Sequence, residues 1–141
     1  MPTRIANVIR TVLDNGLAVL VQSVPGVGAA AVHAFIKAGA MLDGDRSGTA
    51  RFVGSTLMHG TRRRSAQRLA EDLDAMGAAL GVAPGLEVTT ATGRALADDL
   101  QALLRAAAEV VTEPAYPPQE VERVRGQRVT AARINALDTR H

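Results

Sequence analysis

At 141 residues the chain has room for one domain of ordinary size, and its 47% apolar content suits a globular protein with a buried core. Sixteen basic against fourteen acidic residues leave a net charge of +2, a weak field. The run Arg62-Arg63-Arg64 has no neighbouring aromatic residue to stack on bases, so no nucleic-acid partner is expected. The absence of cysteine rules out disulfides and thiolate metal sites.

In chain order, residues 10–13 and 17–22 flank Asp14-Asn15-Gly16 and predict a β-hairpin, because Asn-Gly readily supplies positive φ. Residues 1–16 carry Arg4, Arg10 and Asp14 and no continuous apolar stretch, so no secretory signal is expected. No later stretch is long enough to span a membrane, and a soluble chain, cytoplasmic by default, is the expectation. After the loop at Pro25, Gly26 and Gly28, residues 29–38 read as an apolar strand covered on both faces.

Ser47 is a candidate cap for a helix over 48–59, ended by Gly60, and Ser65 a cap for a second helix over 66–76, ended by Gly77. Residues 78–82 and 86–92 read as strands separated by Pro84-Gly85, followed by helices over 96–112 and 119–137. Strands, two helices, two strands and two helices predict an α+β layered domain. A mixed or antiparallel sheet should carry its helices on one face. With Phe35, Phe52 and Tyr116 as the aromatics, a core of small aliphatic side chains and closely spaced layers is expected.

Several stretches in order resemble the M16 metallopeptidases, the insulinase-like family with an inverted zinc motif. They are Leu13-Asp14-Asn15-Gly16-Leu17, Lys37-Ala38-Gly39-Ala40, Ser47-Gly48, Gly60-Thr61, Arg64-Ser65-Ala66, Leu73-Asp74-Ala75-Met76-Gly77, Pro114-Ala115-Tyr116 and Glu122-Arg123. The resemblance implies an αβ domain that continues past residue 141 and is followed by a second similar one, so the chain looks like the front part of a domain. It also implies His-x-x-Glu-His on the first helix, where positions i, i+3 and i+4 share a face, so that two imidazoles hold zinc and the carboxylate activates its water.

The matching residues here are Arg51, Gly54 and Ser55. Arginine is a permanent cation, glycine has no side chain, and a serine hydroxyl is a poor zinc ligand. The family's third ligand, a late-helix glutamate, falls at Ala131, and a further glutamate falls at Val124. Neither zinc nor any other cofactor is therefore expected, and no residue is assigned a catalytic or metal-binding role. On this basis, replacing Arg51, Gly54, Ser55 and Ala131 together by His, Glu, His and Glu should create a zinc site.

His33, His59 and His141 are dispersed along the chain and read as ordinary structural residues. Glu71, Asp72 and Asp74, with Asp98 and Asp99, read as solvated helix faces. The family resemblance places a peptide-binding sheet edge at Gly81, Val82 and Ala83, where an extended peptide would add as a strand, weakened because Pro84 lacks a donor.

The expected function is that of a non-catalytic homologue pairing with a zinc-bearing M16 subunit in peptide processing or degradation, or self-associating. The alternatives are a metallopeptidase with unusual ligands, a structural core subunit, and a gene fragment without independent activity.

Overall fold

The computed structural model describes residues 8–137. The hairpin forms as the Asn-Gly pair dictates. β1 (Val8–Val12) and β2 (Ala18–Gln22) run antiparallel, Gly16 takes φ 84°, and the Asn15 side chain accepts a hydrogen bond from the Leu17 amide at 3.1 Å. This two-stranded ribbon is separate from the main sheet, in which β3 (Ala29–Ile36), β5 (Thr89–Leu96) and β4 (Ala79–Pro84) lie antiparallel in the order β3-β5-β4.

Central β5 decides how the layers stack. Thr89, Ala91 and Ala95 are buried while Thr90 is half-buried and Thr92, Arg94 and Leu96 are exposed, the period-2 alternation of a strand with one covered face. The covered positions hold small residues, so helix α3 (Leu100–Thr112) approaches closely. A methyl group on Gly93 would lie 2.9 Å from a Leu103 methyl carbon. Leu69 and Leu73 of α2 (Ala66–Ala75), Leu57, and Leu103, Ala106 and Val110 of α3 complete the core with Ala95.

The second strand of the predicted 78–92 hairpin runs further than expected, to Leu96. Eight residues of β3 pair with it, from Ala29 opposite Leu96 to Ile36 opposite Thr89, and this ladder overrides the helical spacing that begins at Leu96. Pro84 is not a turn residue but the last residue of β4, opposite Thr89. Among the described residues β3 is not covered on both faces, and Phe35 is 70% exposed.

The cap of α1 (Thr49–Thr56) also differs from expectation. Gly48, at φ 93°, occupies the cap position, and the carboxylate of Asp43 accepts from the amides of Gly48 and Ala50, both at 2.8 Å. An acid reaching back from the loop thus replaces the Ser47 hydroxyl and suits the positive end of the helix. Ser65 does cap α2, accepting from the Arg68 amide at 3.2 Å.

Helix α4 (Pro118–Leu137) forms where the sequence predicts a last helix, and its described residues are mostly exposed. Among its described residues Val124 is buried, Glu120 and Val121 are half-buried, and Val129 and Ile134 are exposed among several arginines. No helix among the described residues is long and apolar enough to cross a membrane.

The α1–α2 connection is fastened to α3 by a polar cluster. Buried Thr61 donates its hydroxyl to Glu109 and accepts from the amides of Arg63 and Arg64 at 3.2 and 3.0 Å. Arg64 then bridges Glu109 at 2.7 Å and Asp72 at 2.9 Å. The Arg64 hydrogen bond, aided by Thr61, holds the Glu109 carboxyl below the usual carboxylate range against the opposing effect of burial.

Because the folded state depresses this pKa, the stability it supplies is present above the unfolded carboxylate range and is lost as pH falls through the folded value. Glu109→Gln should lower stability at pH 7 by about 1–3 kcal/mol and flatten the acid limb of the stability profile, checked by urea melts between pH 3 and 7. The exposed apolar residues Ile9, Leu20 and Phe35, at 64, 67 and 70%, lie in the ribbon and on the edge strand β3, and unpaired edges recruit other chains. Light scattering should show concentration-dependent association, reduced by Phe35→Lys.

Candidate functional site

Helix α1 lies between the sheet and α4, and its two sides meet different partners. Gly54 is buried and faces β4. A Cβ placed on it would stand 2.8 Å from Pro84 Cβ and 2.9 Å from Pro84 Cγ, so the proline ring lies where a side chain at position 54 would emerge. One residue on, Ser55 faces α4, with its hydroxyl donating to the Arg51 carbonyl at 2.6 Å and accepting from the Arg128 guanidinium.

Between α1 and α4 runs a cleft of about 390 Å³ lined by Ser55, His59, Arg123, Val124, Gln127, Arg128 and Ala131. Three positions matched to the family's metal chemistry, Ser55, Val124 and Ala131, therefore share this one cleft. Arg51 is exposed on α1, and Gly54 opens toward β4 instead. A second depression is lined by α4 residues alone and has no opposing wall.

The connection between α3 and α4 sets the position of the cleft. Thr61 bridges Pro114, the Arg62 amide donates to the Glu113 carbonyl at 2.8 Å, and the Ala115 amide donates to the Gly60 carbonyl at 3.1 Å. Tyr116 then takes φ 47°, a left-handed conformation rare for a bulky residue, as the chain turns into α4. These bonds fasten the segment after α1 to the segment before α4.

At this end of the cleft His59 Nδ1 stands 3.1 Å from a Glu120 oxygen, and Arg123 reaches the same oxygen at 2.7 Å while standing 3.4 Å from His59 Nδ1. The Arg123 hydrogen bond holds the Glu120 carboxyl below the ordinary range. One carboxylate is thus shared by an imidazole and a guanidinium. Among the described residues no three His, Asp or Glu side chains are grouped to hold a metal ion.

Of the remaining sequence candidates, His33 lies in β3 opposite Thr92, and His141 lies outside the described residues. Gly81, Val82 and Ala83 pair with Thr92, Ala91 and Thr90 of β5, in the outer strand of the three-stranded sheet. Sequence reasoning missed Pro84 as the neighbour of Gly54, and it missed Glu120, Arg123 and Arg128 as partners of His59 and Ser55. The i, i+3 spacing of Glu120 and Arg123 was the one local signal. The contacts across α1 and α4 join residues up to 73 positions apart, which no local pattern announces.

Comparison with known proteins places the chain in a family. The sequence profile of the insulinase family, peptidase family M16, matches residues 18–141. An "uncharacterized zinc protease" of Rickettsia bellii is 28% identical over 110 residues, covering 77% of this chain and 27% of that protein. The mitochondrial-processing peptidase subunit beta of Rattus norvegicus is 30% identical over 117 residues, covering 82% of this chain and 24% of its own length.

The crystal structure of a peptidase M16 inactive domain from Pseudomonas fluorescens superposes with a TM-score of 0.80 at 24% identity, covering 86% of this chain and 30% of that one. The chain thus spans about a quarter of the length of the curated relatives it matches. It belongs to the insulinase family of peptidases, family M16.

Proposed function

We propose that this chain is a non-hydrolytic M16 homologue that forms the front part of a larger domain, pairs with a zinc-bearing M16 subunit, and helps enclose that subunit's peptide chamber. The observation that carries this reading is the interlock of Gly54 with Pro84. In an active member a carboxylate stands at the matching position to activate water. Here the space its first carbon would need is filled by a proline ring at 2.8 Å.

The donor set likewise does not fit catalytic zinc, which takes three ligands from Cys, His, Asp or Glu and a water in the fourth position. Ser55, Val124 and Ala131 offer none of these side chains, and the His59–Glu120 pair that borders the cleft has the Arg123 guanidinium beside it, a fixed cation where a metal would stand. That disagreement also weighs against a metallopeptidase with unusual ligands. Peptide contact in this reading uses the outer strand at Gly81, Val82 and Ala83, where backbone groups add an extended segment without chemistry.

Protein purified without an affinity tag should carry no stoichiometric zinc and should leave a quenched-fluorescence peptide intact when zinc is supplied. Chelator-sensitive cleavage, abolished by His59→Ala, would overturn the reading. The Gly54–Pro84 contact also revises what it takes to build a zinc site. The four changes Arg51→His, Gly54→Glu, Ser55→His and Ala131→Glu should yield a destabilised protein, since overpacking costs about 1–3 kcal/mol. Adding Pro84→Gly, which removes the Cβ and Cγ that the new side chain would meet, should recover part of the loss in melting temperature and allow zinc binding, read by calorimetric titration with zinc.

A further inference from the structure

We infer that Pro84 and the hydrogen-bond phase of β4 restrict the peptide edge to one class of ligand: an extended antiparallel segment, apolar at every second residue, read through the backbone of those same apolar residues. This rests on the reading that the chain contacts peptide along its outer strand. In an antiparallel ladder, opposed residues alternate between pairs that exchange both backbone hydrogen bonds and pairs whose N–H and C=O groups point away from each other. The Gly85 amide donates to the Val88 carbonyl at 2.9 Å, and the register runs unbroken from Pro84 opposite Thr89 to Ala79 opposite Arg94. Ala83, Gly81 and Ala79 therefore direct their backbone groups to Thr90, Thr92 and Arg94. On the other side of β5 the Ala97 amide donates to the Gly28 carbonyl at 3.0 Å, which turns the odd-numbered residues of β5 toward β3 and leaves the even-numbered ones for β4, the same phase.

The free edge consequently belongs to Leu80, Val82 and Pro84. Leu80 and Val82 each present an N–H and a C=O outward, and among the described residues none of these groups has a hydrogen-bond partner. Pro84 presents a carbonyl there and no N–H, and the ladder to β5 stays whole because its missing donor would have pointed outward. The same alternation sorts the side chains. Leu80 and Val82 are half-buried against the core, while Ala79 and Ala83 are exposed on the open face. In an added antiparallel strand, the residues opposite Leu80 and Val82 carry their side chains on the core-facing side, so apolar groups belong there. Those residues also make the paired hydrogen bonds. Opposite Pro84 the peptide carbonyl meets no donor, and the pairing ends.

N-acetylated, C-amidated peptides of alternating valine and threonine, a composition that favours extended backbone, test this on the full chain by amide hydrogen exchange and ¹⁵N-detected titration. In the free protein the Gly81 and Ala83 amides should exchange slowly and those of Leu80 and Val82 fast, and the peptide should protect Leu80 and Val82. N-methylation of its valines should weaken binding about tenfold or more, whereas N-methylation of its threonines should leave the affinity within about twofold.

Pro84→Ala, compared at a temperature where both proteins are folded, supplies the missing donor and should tighten binding of the unmodified peptide about fivefold. Shifts at β4 with both methylated peptides equally weakened, or with Pro84→Ala binding no more tightly, would overturn this assignment and leave the strand-edge reading standing. No shift with any peptide would overturn both.

Discussion

The arrangement of this chain depends on one buried hydroxyl. Thr61 sits just after the glycine that ends the α1 region, and its side chain joins the amides of the following turn to Glu109 on α3. Arg64 closes the same cluster onto α2 through Asp72. Three helices that share a small aliphatic core are thereby held in one register by directional bonds, which apolar contacts among alanine, valine and leucine cannot supply. The backbone bonds from Gly60 and Arg62 to the 113–115 segment extend the same fastening to the start of α4.

That fastening explains why a cleft persists between α1 and α4 although α4 buries almost nothing. Val124, the one well-buried residue among those of α4 whose burial is described, would not by itself fix a helix of twenty residues. The Thr61–Pro114 bridge holds the segment that leads into α4, and the contacts of Glu120 with His59 and Arg123 join the end of the α1 region to the first turns of α4. Within this frame the local charge is cationic, whereas a zinc site calls for neutral imidazoles and carboxylates. The residues at α1 differ in a coordinated way: glycine at 54 admits the ring of Pro84, and serine at 55 admits the guanidinium of Arg128.

The membership in family M16 and the α+β layout were legible because they rest on local signals: Asn15-Gly16, the Ser65 cap, Gly77 and the order of strands and helices. Strand limits were less legible. Pro84 reads locally as punctuation, yet it ends a strand because pairing with β5 decides where the strand stops, and an edge position tolerates the missing donor. The helix cap was misplaced for a similar reason, since Asp43 is separated from the helix by a glycine-containing loop and reaches it only after that loop closes.

By itself the sequence determined the chemical inventory: no thiol, no inverted zinc motif at Arg51, Gly54 and Ser55, and an excess of arginine on the last helix. Side-chain identity is enough for such statements, because a ligand that is not encoded cannot be supplied by folding. The tertiary structure alone decided that Pro84 fills the space above Gly54, that Glu120 serves both His59 and Arg123, and that Arg128 meets Ser55. These are contacts between distant segments. Their geometry follows from how α1 is clamped between β4 and α4, a consequence of core packing and the Thr61 cluster that no periodicity in the chain encodes.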